Sequence, residues 1–197
     1  MKKVLAGILV LFIAGVCFLN ILGDGQSDLK EWHYIVLGDG RAGELIPFVN
    51  EEDNIEFIVK SGADIEWLDR EALPELINSD RKFSAVIVMT GISDMQNANE
   101  YVTALNTWGK RLKDERGADL CMNSVNPVTE GVFVPADVDE FNRTVREGLD
   151  AQVRFIDTGT KLRESGFATT DTLHYTEESS RLLYELLMKE LEDLQTK

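Results

Sequence analysis

From residue 32 onward, apolar residues recur with two alternating periods. Short unbroken apolar runs alternate with longer stretches whose apolar positions return every three or four residues. The runs Tyr34–Leu37, Ile55–Val59, Ser84–Met89 and Val153–Ile156 predict strands, and Leu120–Met122 predicts another that continues to Asn126-Pro127. Between them the helical period predicts a helix over Arg41–Val49, broken or kinked near Pro47. A second is expected around Ile65, Leu68, Leu73 and Leu76, and a third over Asn97–Asp114 with Tyr101, Leu105, Trp108 and Leu112 on one face. After a loop from Val128 to Pro135, a helix should carry Val138, Phe141, Val145 and Leu149. An amphipathic helix from Thr176 to Leu194 closes the chain, with Thr176 as its N-cap.

Strands joined by crossovers of this length pair in parallel, with helices on both faces of the sheet. Fully apolar strands such as Ser84–Met89 suit a sheet covered on both sides. In such sheets ligands bind beyond the C-terminal strand ends, near a switch in strand order. Residues that carry chemistry should therefore follow strands directly.

The N-terminus has a different pattern. Met1-Lys2-Lys3 precedes nineteen residues, Val4 to Leu22, whose only strongly polar member is Asn20. As a helix this run spans roughly 28 Å, close to a bilayer's hydrocarbon core. The lysines ahead of it orient the C-terminal part of the chain away from the cytoplasm. A cleaved signal peptide is the competing reading, but no Ala-x-Ala follows the run, and Val16 is bulky for a lipoprotein site at Cys17. The expected organisation is a membrane anchor over 1–23, a short polar linker over 24–31 and one domain over 32–197.

Composition narrows the partners. Twenty basic residues face 35 acidic ones, a formal charge of -15, and two of the lysines lie ahead of the apolar run. So acidic a domain repels nucleic-acid backbones, and its plainest role is solubility. Cys17 and Cys121 imply no disulfide framework. With His33 and His174 the only histidines, no Cys/His metal spacing is present, and neither a metal nor a cofactor is expected.

The segment Gly38-Asp39-Gly40-Arg41-Ala42-Gly43 comes directly after the first strand. As Gly-x-Gly-x-x-Gly it suits a dinucleotide pyrophosphate. That reading needs an acidic residue at the end of the second strand, where Lys60-Ser61 stands instead. Ser61-Gly62-Ala63 comes after the second strand and Gly91-Ile92-Ser93-Asp94 after the third. Ser124-Val125-Asn126-Pro127 ends the fourth, and Asp171-Thr172-Leu173-His174 lies just before the last helix. In this order and spacing the chain resembles the SGNH or GDSL hydrolases, a family of esterases and acyl hydrolases. The resemblance runs from Trp32 to Leu187.

It implies a flavodoxin-like α/β/α sandwich with a five-stranded parallel sheet in the order 2-1-3-4-5. His174 matches the family's general base, Asp171 the residue that orients it, and Gly62 an oxyanion-hole donor. Gly40 stands where the family has its nucleophilic serine, and Ser93 where it has the oxyanion-hole asparagine. Both changed positions are ones that contact the reacting carbonyl. Glycine has no nucleophile, and loss of a triad serine lowers turnover about a millionfold. Removing one oxyanion donor costs roughly 3–4 kcal/mol more. The resemblance therefore implies an impaired hydrolase that binds a surface glycan, an acylated polymer or a protein partner. Its competitor is an active esterase that uses water or a substitute serine, Ser61 or Ser93, with His174.

Each residue also has a plainer role. Gly38 and Gly40 suit a tight turn, Asp39 a helix cap, and Gly91 and Asp94 a turn. Asp171 and His174 could cap the last helix. Trp67 and Trp108 fit the core or a groove wall, and His33, ahead of the first strand, belongs at the opposite sheet end. Arg41 is a candidate anchor for an anionic substrate group. Asn142-Arg143-Thr144 matches a glycosylation acceptor but falls inside a helix.

Overall fold

In a computed structural model the chain is described over residues 33–195. The expected anchor over 4–22, Cys17 and the linker lie outside the described residues. Among the described residues no helix is long and apolar enough to cross a membrane.

Five parallel strands form one sheet: β1 (Tyr34–Gly38), β2 (Ile55–Val59), β3 (Ala85–Met89), β4 (Asp119–Asn123) and β5 (Val153–Ile156). Their order is β2-β1-β3-β4-β5, so the direction of winding reverses between β1 and β3. Alternation along the strands divides the core in two. Ile35, Leu37, Val86, Val88, Leu120 and Met122 face one helical layer, and Tyr34, Val36, Ile87 and Cys121 the other. The first layer holds α2 (Ile65–Trp67), α3 (Leu73–Asn78), α4 (Ala98–Arg116) and α5 (Pro135–Gly148). The second holds α6 (Thr158–Ser165) and α7 (Glu177–Gln195). A one-turn helix, α1 (Gly40–Gly43), leads off β1.

Register brings the motifs to one edge. Gly38 is level with Val59 on one side and Met89 on the other. The segments beginning at Asp39, Lys60 and Thr90 thus leave the sheet together.

Four elements depart from the sequence pattern. The helix expected over Arg41–Val49 stops at Gly43, and Pro47 sits in a separate 3-10 turn, Ile46–Phe48. Glycine is a poor helix residue, and Pro47 has no N–H to continue the ladder. Between α2 and α3 the backbone widens into a π segment, Leu68–Ala72, just before Pro74, whose ring would crowd the carbonyl four residues back. β4 ends at Asn123 rather than reaching Pro127, because the Asn142 amide binds both the N–H and the C=O of Val125, each at 2.8 Å. Helix α6 has no counterpart in the pattern. It starts Thr-Gly-Thr, is capped by Asp157, and buries only Thr158, Gly159 and Leu162.

Candidate active site

Where β1 ends, Asp39 caps α1. Its Oδ1 accepts from the N–H groups of Arg41 at 2.9 Å and Ala42 at 3.4 Å. The carboxylate thus occupies the amides that a pyrophosphate would need, which removes the physical basis of the dinucleotide reading. Gly38 is compulsory here, since a Cβ would sit 2.2 Å from that of Ala42. Gly40 is different: a Cβ built there meets nothing within 4 Å. The position that the sequence resemblance matches to a nucleophile therefore has room for a side chain.

Arg41, next in line, is buried at 6% exposure, and its Nη1 donates to the Asn126 carbonyl at 3.0 Å. The expected anchor for a substrate anion is turned inward, where it ties α1 to the end of β4. Gly62 occupies an exposed turn with φ 68°, in the left-handed region that favours glycine. Gly91 has φ 123°, and a Cβ there would press on Val125 and Phe141.

Ser93 is exposed on the 3-10 turn Ile92–Asp94. It lines an open cleft with Ile92, Met95, Val132, Phe133 and Val134. Asp94 is buried, and its Oδ2 accepts from the Ile65 N–H at 3.0 Å, joining the third-strand turn to the segment after Gly62. Burial raises its pKa, partly offset by that N–H and by Asn97. Ser61, the other substitute serine considered, is exposed beside Gly62.

The histidine lies in a closed loop. Thr169 bridges Tyr175, the Thr170 N–H donates to the His174 carbonyl at 2.8 Å, and the Thr176 N–H donates to Ala168 at 3.0 Å. At its tip Asp171 Oδ1 accepts from the N–H groups of Leu173 and His174 at 2.6 and 2.7 Å. Oδ2 lies 2.8 Å from His174 Nδ1. Asp171 therefore braces its own loop and the imidazole, while Thr176 Oγ1 accepts from Ser179 N–H at the start of α7. The imidazole is 47% exposed, and its Nε2 has no partner among the described residues. The bond to Asp171 raises the His174 pKa, against burial and the Arg41 charge; the same bond with the two loop N–H groups holds Asp171 at about 2.

Three contacts seat this loop. Tyr175 Oη donates to the Pro127 carbonyl at 2.5 Å, and Thr129 N–H donates to the Thr172 carbonyl at 3.2 Å. The Tyr175 N–H donates to Glu44 Oε2, on the α1 side, at 3.2 Å. The Glu44 bond brings the Asp171–His174 loop against the end of α1, and the charges of Glu44 and Arg41 reach the imidazole. His33, whose C=O accepts from Ser84 N–H ahead of β3, lies at the other end of the sheet. Trp67 and Trp108 are buried. Glu44 and Asn142 hold the site together. No motif in the sequence marks Glu44, and Asn142 stands only in a glycosylation-acceptor pattern that has no bearing on its bonds to Val125.

The sequence matches no family model and no curated protein. Solved structures do match. The C-terminal catalytic domain of peptidoglycan O-acetyltransferase A from Streptococcus pneumoniae superimposes with a TM-score of 0.65 at 15% identity, over 84% of this chain and 96% of that one. A protein of Slackia heliotrinireducens described as an SGNH hydrolase gives 0.65 at 14% identity, over 82% and 100%. An acylhydrolase of Bacteroides fragilis gives 0.67 at 12%, over 85% and 90%. This chain has the SGNH hydrolase fold. Within that fold its strand order is as the sequence resemblance implied.

Proposed function

We propose that this SGNH-fold domain is a catalytically impaired member of its fold class that binds rather than cleaves. Its ligand is a surface glycan, an acylated polymer or a protein partner outside the cytoplasmic membrane, where the apolar run 4–22 holds it. One observation supports the reading: Gly40, which the resemblance matches to the nucleophile position, has no side chain, and a Cβ built there meets nothing within 4 Å. Serine-ester hydrolysis needs that hydroxyl to attack the acyl carbon while histidine takes its proton. The position of Ser93 compounds the loss, since a short hydroxyl reaches less far than an asparagine amide. The peptidoglycan-acting neighbour supports a cell-wall glycan as the first ligand to try.

The test is turnover of a short acyl ester by the purified protein, alongside His174→Ala. No hydrolysis above that of the variant is expected. Hydrolysis that disappears in His174→Ala would overturn the impaired reading.

A second reading is favoured by the intact Asp171–His174 bond. Here His174 Nε2 takes a proton from water, which attacks an ester-linked acyl group of a wall glycan directly. Ser61→Ala and Ser93→Ala, made separately, distinguish water from a substitute serine as the nucleophile.

A further inference from the structure

We propose that Glu44, which belongs to no motif, is a positioning residue for His174. It fastens the histidine loop to the turn that begins at Gly40 by accepting from the peptide N–H next to His174. Glu44 is the first residue past α1, and its own N–H turns back to the Arg41 carbonyl at 3.2 Å. Its Oε2 accepts from the Tyr175 N–H at 3.2 Å and lies 3.5 Å from Ser180 Oγ on α7. The peptide that accepts this restraint is the one directly after His174. Asp171 holds the imidazole from within the loop; Glu44 holds the loop from across the site.

The charges agree with this geometry. The groups acting on His174 are Asp171, on its own loop, Arg41, on α1, and Glu44, just past it. Asp171 and Glu44 favour the imidazolium, whereas burial and Arg41 oppose it. Glu44 itself is pulled both ways. Burial raises its pKa, while the Tyr175 N–H, His174, Arg41 and Ser180 lower it. A carboxylate kept half-buried, with the N–H of the residue after His174 aimed at it, is a poor arrangement for solubility alone. It is a good one for fixing which way the imidazole faces and how readily it takes a proton.

Glu44 would hold this place whether or not the site turns over a substrate, so its test uses no activity. In the full-length protein, His33 and His174 are the only imidazoles, and His33→Gln assigns their NMR signals. Glu44→Gln keeps an oxygen acceptor for Tyr175 but removes the charge. It is expected to shift the His174 titration downward, by less than Asp171→Asn does, because the Asp171 bond is the larger influence. Glu44→Ala removes both features, and should also speed hydrogen exchange of the Tyr175 amide about fivefold, the loss of one net hydrogen bond. An unmoved titration in Glu44→Gln, or a Tyr175 amide equally protected in Glu44→Ala, would overturn the proposal.

Discussion

The two halves of the site are built differently. The histidine half is made of side-chain bonds: Asp171 to His174, Tyr175 to Pro127, and the closed loop that carries them. The half around Gly40, Gly62 and Ser93 is made mostly of backbone turns. The Gly40 turn is capped by Asp39, Gly62 occupies a left-handed turn, and Asp94 ties its segment to Ile65, while Gly40 itself carries no side chain. Backbone turns are held by strand ends and caps, so their shape does not depend on which side chain stands at Gly40 or Ser93.

The largest expected effect comes from filling the Gly40 half. Gly40→Ser combined with Ser93→Asn should raise hydrolysis of a short acyl ester at least about a thousandfold, a modest share of the millionfold that a triad serine carries. Space favours it, because a Cβ at Gly40 meets no atom within 4 Å. Adding His174→Ala must abolish the gain. A double variant that folds and shows no activity would mean that the groove, and not only its chemistry, has drifted.

The next test separates two glycines of the same motif. Gly38→Ala forces a Cβ to within 2.2 Å of the Ala42 Cβ and should cost about 3 kcal/mol, from strain between β1 and α1. Gly40→Ala, two residues on, should stay within about 0.5 kcal/mol. Urea denaturation midpoints measure both. Equal losses would show that Gly40 is held by the turn itself and is not simply a serine position without its serine.

That contrast also marks what was legible in the sequence. Strand order and the placement of the motifs at one edge were readable because β1 and β3 are unbroken apolar runs, and each motif follows its strand directly. The glycines were visible but not their different reasons, which depend on Ala42 in one case and on empty space in the other. Arg41 read as a ligand residue because a cation after a strand suggests an anion site. Only tertiary structure reveals that the Asn126 carbonyl takes its guanidinium. Glu44 and Asn142 left almost no signal, since each acts on backbone groups of distant segments, and no period or motif encodes such partners. Helix α6 was illegible because one apolar side chain in eight residues gives no helical stripe.

Asn142 offers a test of intermediate size. Its amide makes two bonds to Val125 and thereby directs Ser124 to Pro127, against which both Arg41 and Tyr175 are seated. Asn142→Ala leaves that N–H and C=O without their partner and should cost about 1–2 kcal/mol in urea denaturation. The loss should reach both halves of the site, broadening the His174 NMR signals. A stable variant with sharp, unmoved signals would show that the Val125 segment needs no side-chain clamp.

The smallest effect is the pH dependence of the histidine half. His174 has its pKa raised in the folded state, so its contribution is fully present below the unfolded value of about 6.5. That contribution fades as pH rises through the folded value. Asp171 runs the other way: held at about 2, it contributes above its ordinary value near 3.8, and that contribution is lost as pH falls toward 2. Both side chains are about half exposed, so solvent screening keeps the effect small. The expected result is a shallow decline in urea midpoint above pH 6.5 in the parent protein, flattened in both Asp171→Asn and His174→Ala. The other half of the site should add nothing in that window, so Gly40→Ser should keep the parent slope. If it flattened the slope as well, the serine would have engaged the imidazole, and the two halves would be coupled through the position that Gly40 now leaves empty.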